Sequence, residues 1–118
     1  MVMMFGCYIV ISLDEILENC LLAEAGFQMI FGMVNRTSPT PGVSSTIETI
    51  TGVDGNDITL YIHRPDHAEG TLPCIVHTHG GGMAILQASG PSYVKWRDDL
   101  AATGLVVVGV EFRNSGGA

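Results

Sequence analysis

Pro73-Cys74-Ile75-Val76-His77-Thr78-His79-Gly80-Gly81-Gly82-Met83 is a short apolar run, opened by a proline and delivered directly into three consecutive glycines. The run predicts a strand over Cys74 to Thr78, and the glycines predict a tight loop after it. Downstream, Ser92 to Thr103 puts Tyr93, Trp96, Leu100 and Ala101 on one side and Lys95, Asp98 and Asp99 elsewhere, with Gly104 able to stop the turn. That spacing predicts a helix. Tyr93 and Trp96 are expected to fill its interface with a sheet rather than to line an acyl pocket. Leu105 to Val110 is continuous and rich in valine, the pattern of a strand covered on both faces in the middle of a parallel sheet. Strand, loop, helix and buried strand make a βαβ unit, and the fold class that follows is α/β.

Upstream, Thr46 to Thr51 and Ile58 to His63 alternate as two strands of a β-hairpin, with Asp54-Gly55-Asn56 supplying the turn and positive φ. Arg64-Pro65 ends the second strand, and Asp66 to Thr71 is a polar connection. Between Asn35 and Ser45 lie two prolines, a glycine and five Ser or Thr, which is loop or linker chemistry. Before it, Ser12-Leu13-Asp14-Glu15 reads as a capping box. Leu13, Ile16, Leu17, Cys20 and Leu21 follow at helical spacing, with Asp14, Glu15, Glu18 and Glu24 mostly on the other face. Met1 to Ile11 is apolar throughout, too short to span a bilayer and without the basic start and cleavage site of a secretory signal. A buried or lipid-touching helical start, a mis-set translation start and a targeting segment all stay open for it.

The 118 residues bound the chain to one modest domain or part of one. A net charge of -7 with five Lys and Arg leaves no basic stripe to neutralise phosphates, which excludes nucleic acid as a natural partner and disfavours anionic membranes. Cys7, Cys20 and Cys74 are odd in number and far apart, so the expectation is reduced thiols in a cytoplasmic protein rather than a disulfide scaffold. Charged residues make up 14% of the chain, below the roughly 25% of ordinary soluble domains, as if some surface lacked its cover.

The three glycines are the chemically informative feature. Acyl transfer passes through a tetrahedral species whose oxygen turns negative, and backbone N–H groups aimed at that oxygen stabilise it. Without Cβ atoms the peptides reach unusual φ and ψ and let an oxygen approach the amides. Neither a GxGxxG nor a GxxxxGK[ST] phosphate loop can be read through Gly80 to Gly82. Cys74, His77 and His79 could suggest a soft metal site, but no fourth ligand accompanies them, and no metal is expected. Met83 either touches substrate or packs under the loop. Glu111 and Arg113, at the end of the valine strand, are expected as a structural ion pair or hydrogen-bond anchors.

Thr78-His79-Gly80-Gly81-Gly82-Met83, with Asp54-Gly55, Arg64-Pro65 and Glu111-Phe112-Arg113-Asn114, resembles the hormone-sensitive-lipase-like family of α/β-hydrolases, and within it the brefeldin A esterase-like branch. The resemblance covers roughly Ile47 to Gly117. It implies the N-terminal part of an α/β-hydrolase fold, incomplete: residues 1–45 as a helical, cap-like segment and linker, and residues 46–118 as the hairpin and βαβ unit that open a mostly parallel sheet. It implies a serine carboxylic ester hydrolase acting on a small-molecule ester without a cofactor. The amides of Gly81 and Gly82 would belong to the oxyanion hole, with His79 and Gly80 supporting the loop.

The same family requires a small-x-Ser-x-Gly elbow followed in sequence by an acid and a histidine. Ser44 and Ser92 have glycine two residues before but not after, and Ser115 has Gly117 after but Arg113 before. His63, His67, His77 and His79 all precede any such elbow. No catalytic residue is therefore expected in this chain, which alone should be inactive. The alternative within the resemblance is a receptor-like protein that binds a small ligand in the same fold without catalysis.

Overall fold

A hairpin forms where two alternating runs flank a residue that tolerates positive φ, and Gly55 supplies it at φ 77°. In the computed structural model, which describes residues 38–114 together with Glu18, Leu22, Ala23, Ala25, Gly26, Met29 and Ile30, β1 spans Val43–Thr51 and β2 spans Asp57–Pro65. Their antiparallel ladder runs from Thr51 opposite Asp57 to Val43 opposite Pro65. The turn closes through Gly52 N–H to the Asn56 carbonyl at 2.7 Å and Gly55 N–H to the Gly52 carbonyl at 3.0 Å. Strand β1 begins at Val43 rather than at Thr46, so the stretch expected as linker contributes its last residues to the sheet. Pairing is the reason: once the register is set, Ser44 and Ser45 meet Arg64 and His63 and continue the ladder despite weak intrinsic strand preference.

Strand β3 is Cys74–Thr78, as the apolar run predicts, and helix α1 is Pro91–Ala101. Proline suits the first helical turn, whose N–H groups have no intrahelical acceptor anyway. After α1 the chain turns through Gly104, whose φ of 102° is open to glycine. Strand β4, Val106–Glu111, then pairs parallel with β3 on one side and antiparallel with β2 on the other. The sheet order is β1-β2-β4-β3, a mixed sheet with the valine strand between two neighbours and the parallel βαβ unit at one edge. The helix suggested by Ser12 to Leu21 falls almost wholly outside the described residues; Glu18, Leu22, Ala23, Ala25, Gly26, Met29 and Ile30 are helical. Among the described residues no helix is long and apolar enough to cross a membrane.

Helix α1 covers one face of the sheet, where Val107 and Ala101 are fully buried and His63 and Gly109 lie beneath the helix. Its buried side matches the sequence expectation at Ala101 and departs from it at Trp96 and Arg97. Arg97 is 0% exposed, whereas Trp96 is 45% exposed and leans on the His77 ring at 4.8 Å between centroids. The face beneath the helix carries imidazoles and an empty glycine position, so it matches a guanidinium better than an indole. Before β1, Thr40 donates to Asp99 at 2.8 Å and accepts from Lys95 at 2.9 Å, which ties the incoming chain to α1.

The opposite face carries Leu60, Ile62, Val76, Val106, Val108 and Val110, and no described element packs on it; Val76 remains 67% exposed. Strands β1 and β3 are both edges. Open edges and uncovered apolar surface drive association. The isolated 118-residue chain is therefore expected to elute in size-exclusion chromatography well above its 12.5 kDa mass. A monomeric peak with a cooperative melt would contradict this.

Candidate active site

The loop from His79 to Gly90 leaves the C-terminal end of β3 and enters α1. Four of its residues have positive φ: Gly81 at 118°, Gly82 at 64°, Met83 at 58° and Leu86 at 72°. Such a run is costly for side-chain-bearing residues and needs surrounding contacts to hold it. The Gly81 carbonyl accepts from both Ala84 N–H and Ile85 N–H at 3.2 Å, and Asn114 Nδ2 donates to the Leu86 carbonyl at 2.7 Å. Met83 lies on the outside, 69% exposed, rather than packed under the loop.

These contacts orient two amides. In a trans peptide the C=O and the following N–H point in opposite directions, and this chain has no cis peptide bonds among its described residues. The Gly80 carbonyl is held by His79 Nδ1–H at 2.7 Å, which turns Gly81 N–H away from the ring. The Gly81 carbonyl is held inside the loop, which turns Gly82 N–H outward. Neither amide donates to any described group. Two backbone donors thus stand unpaired on a loop in which the carbonyls of Gly80 and Gly81 are both occupied.

His79 is braced in turn. Its ring stacks on Phe112 at 4.3 Å with an interplanar angle of 7°. Since Nδ1 must donate to a carbonyl, Nε2 faces Glu111 Oε1 at 3.5 Å, too far or too oblique for a hydrogen bond, and has no other partner. Glu111 instead accepts Ala88 N–H at 3.0 Å and Ser89 N–H at 3.3 Å. Arg113 pairs with Asp54 across the hairpin turn. Both residues are anchors, as expected, but to different partners and not to each other.

Sequence reasoning missed the buried centre of this region. Arg97 donates from Nε to His63 Nε2 at 3.0 Å and from Nη2 to the Ala88 carbonyl at 2.6 Å, with Nη1 3.4 Å from His77 Nδ1. It also sits 5.7 Å over the Tyr61 ring. His63 Nδ1 donates to Asp98 at 2.7 Å. The Asp98–His63 pair has the look of a catalytic dyad, but Arg97 occupies the nitrogen a base would need, and no described serine adjoins it. The signal that could have found Arg97 is Gly109, a glycine inside a valine strand, which marks the close approach of another group. A Cβ there would lie 2.6 Å from the guanidinium carbon. Burial lowers the Arg97 pKa, while Asp98 and Glu111 oppose that shift.

His77 has its pKa lowered from the usual 6.5, first by burial and then by the charges of Arg97 and His79. As pH falls through 6.5 the unfolded chain takes up this proton before the folded chain does, so stability is lost on acidification below that value. Denaturant midpoints are expected to fall between pH 7 and pH 5.5, and His77→Gln is expected to flatten part of that slope. Equal slopes in both proteins would remove His77 as the cause. Among the described residues no group of three or more His, Cys, Asp or Glu is gathered as a metal would need. A cleft of about 220 Å³ lined by Tyr61, Gln87, Ser89, Glu111, Phe112 and Asn114 opens beneath the loop's return. None of the loop glycines lines it, so it is not the space before the Gly81 and Gly82 amides.

Known structures share this fold. Brefeldin A esterase, a bacterial homologue of human hormone-sensitive lipase, is 40% identical over 90% of this chain and 30% of its own, with a TM-score of 0.79. A bacterial heroin esterase is 26% identical over 83% of this chain and 31% of its own, with a TM-score of 0.72. No protein-family model and no curated protein matches the chain. The chain therefore spans less than a third of the length of these esterases. With the strand order, the glycine loop and this identity together, the chain belongs to the hormone-sensitive-lipase-like family of α/β-hydrolases.

Proposed function

We propose that this chain supplies the oxyanion-binding part of a serine carboxylic ester hydrolase acting on small-molecule esters, with the part of residues 1–45 that precedes β1 as its cap-like segment and linker. The observation that carries the reading is the pair of unaccepted amides at Gly81 and Gly82, each turned outward by a carbonyl tied to the protein. In the reaction, a serine hydroxyl adds to the ester carbonyl, whose oxygen becomes negative. Both N–H groups donate to that oxygen more strongly than to the ground-state carbonyl, which lowers the barrier. His79 holds Gly80, and so Gly81, in the donating orientation without exchanging a proton with substrate. The tetrahedral species collapses by breaking the ester C–O bond, the alcohol leaving with the proton that the serine gave up, and water then hydrolyses the acyl-enzyme to release the acid, with no cofactor in either step. The exposed free thiol of Cys74 fits a reducing cytoplasm.

The test is to express the uninterrupted coding frame that carries residues 1–118 and assay it on short-chain nitrophenyl esters. Hydrolysis blocked by a serine-directed organophosphate is expected, with none above buffer from the 118-residue chain alone. Hydrolysis by that chain, abolished by a single substitution within it, would overturn the reading. A frame that binds a small apolar ligand and hydrolyses nothing would favour the receptor-like alternative.

A further inference from the structure

The unassigned chemistry of the chain is concentrated at Ala88, where the loop returns to the sheet before α1. Ala88 is 0% exposed, and its peptide groups are held on both sides by buried or half-buried charged groups. Its N–H donates to Glu111 Oε1 at 3.0 Å, and its carbonyl accepts from Arg97 Nη2 at 2.6 Å. The same Glu111 oxygen faces His79 Nε2 at the other end of the loop. A single carboxylate thus bonds the return of the glycine turn and lies 3.5 Å from the histidine that opens it. Arg97 is oriented by His63, which Asp98 orients in turn.

A guanidinium is an unusual choice for a 0%-exposed site between a helix and a sheet, because desolvation is expensive unless its donors are satisfied. Packing alone would be met by leucine or methionine at lower cost. What Arg97 adds is a planar fork that fixes two partners at once, one in the scaffold and one in the loop. Its Nε side holds strand β2 through His63, and its Nη2 side holds Ala88.

We propose that Arg97 is a positioning residue for the oxyanion loop, with Asp98 and His63 fixing the guanidinium and Ala88 receiving it. The inference rests on the reading of Gly81 and Gly82 as oxyanion donors. Arg97 touches neither substrate nor the two amides; it holds the return of the loop so that the carbonyls of Gly80 and Gly81 stay turned inward.

The test compares Arg97→Met, Arg97→Lys and Asp98→Ala in the protein translated from the complete frame, by amide hydrogen exchange and by ester hydrolysis. The reporting amides are Ala84 and Ile85, which donate to the Gly81 carbonyl, and Ala88 and Ser89, which donate to the Glu111 carboxylate, against Val106 N–H, which is bonded to the Pro73 carbonyl. Arg97→Met is expected to accelerate exchange at the loop amides tenfold or more with Val106 within twofold, and to lower kcat tenfold or more with KM within twofold. Arg97→Lys, the variant to rely on if the methionine protein does not fold, should fall between the two, and Asp98→Ala should show the smallest effect. Unchanged loop exchange, or acceleration equal to that of Val106, overturns the inference and leaves the proposed activity standing. If the wild-type protein hydrolyses no ester, the activity fails instead, and selective loop acceleration still supports the tether.

Discussion

Gly109→Ala is expected to lower folding stability by roughly 3 kcal/mol, the scale of disrupting a buried charged group's partners. An added Cβ would meet the Arg97 guanidinium at 2.6 Å from Cζ and Nη1 and 2.9 Å from Nε. The far end of a long side chain ordinarily swings aside from such a clash. Here it is 0% exposed and bound to His63 and Ala88, with Tyr61 and His77 on the strands flanking Gly109 in the same register. Moving it strands a charge, an imidazole nitrogen and a carbonyl away from water. Chemical denaturation of the protein translated from the complete frame should show a lower midpoint with little change in slope. An unfolding free energy within about 0.5 kcal/mol of wild type, a size usual for surface substitutions, would mean that Arg97 has room to yield and that the network is soft.

Gly81→Ala is expected to lower kcat by about 10²- to 10³-fold in the complete protein, the effect of losing one oxyanion donor, with KM little changed. The backbone at Gly81 has φ 118°, and a Cβ there would sit 2.0 Å from the Ile85 carbonyl oxygen. That neighbour is main chain and has nowhere to rotate. The turn must open, releasing the Gly81 carbonyl from Ala84 and Ile85 and with it the orientation of Gly82 N–H. Gly82→Ala is the informative comparison. Gly82 has φ 64° and open space where its Cβ would stand, so alanine costs only the roughly 1–2 kcal/mol of a left-handed residue. A milder loss is expected there. Equal and severe losses at both positions would point to general disruption of the loop rather than to the geometry at Gly81.

Much of the fold was readable because it depends on neighbours in sequence. The hairpin turn at Gly55, strand Cys74–Thr78, the stop at Gly104 and the existence of the valine strand each follow from a local pattern, whereas that strand, expected to be covered on both faces within a parallel sheet, is covered by α1 on one face among the described residues and pairs antiparallel with β2. The start of β1 was not readable, since Ser44 and Ser45 join a strand only because Arg64 and His63 stand opposite them. The buried side of α1 was read correctly at Ala101 and missed at Arg97 for a related reason. Helical periodicity marks Tyr93 and Trp96 as apolar, but the choice of buried side belonged to the sheet beneath, which offered His63, His77 and the gap at Gly109 to Arg97.

The candidate site divides along the same line. From its residues alone, the run of Gly80, Gly81 and Gly82 after a strand already implied a tight turn with approachable backbone, because glycine takes cheaply the positive φ that Gly81 and Gly82 adopt. Which way those peptides face depends on groups brought from elsewhere in the chain: Phe112 against the His79 ring, Asn114 on Leu86, and Glu111 and Arg97 on Ala88. Glycine makes a conformation accessible without selecting it. Selection comes from long-range hydrogen bonds and buried charge, which exist only after the sheet has set the distances between those groups.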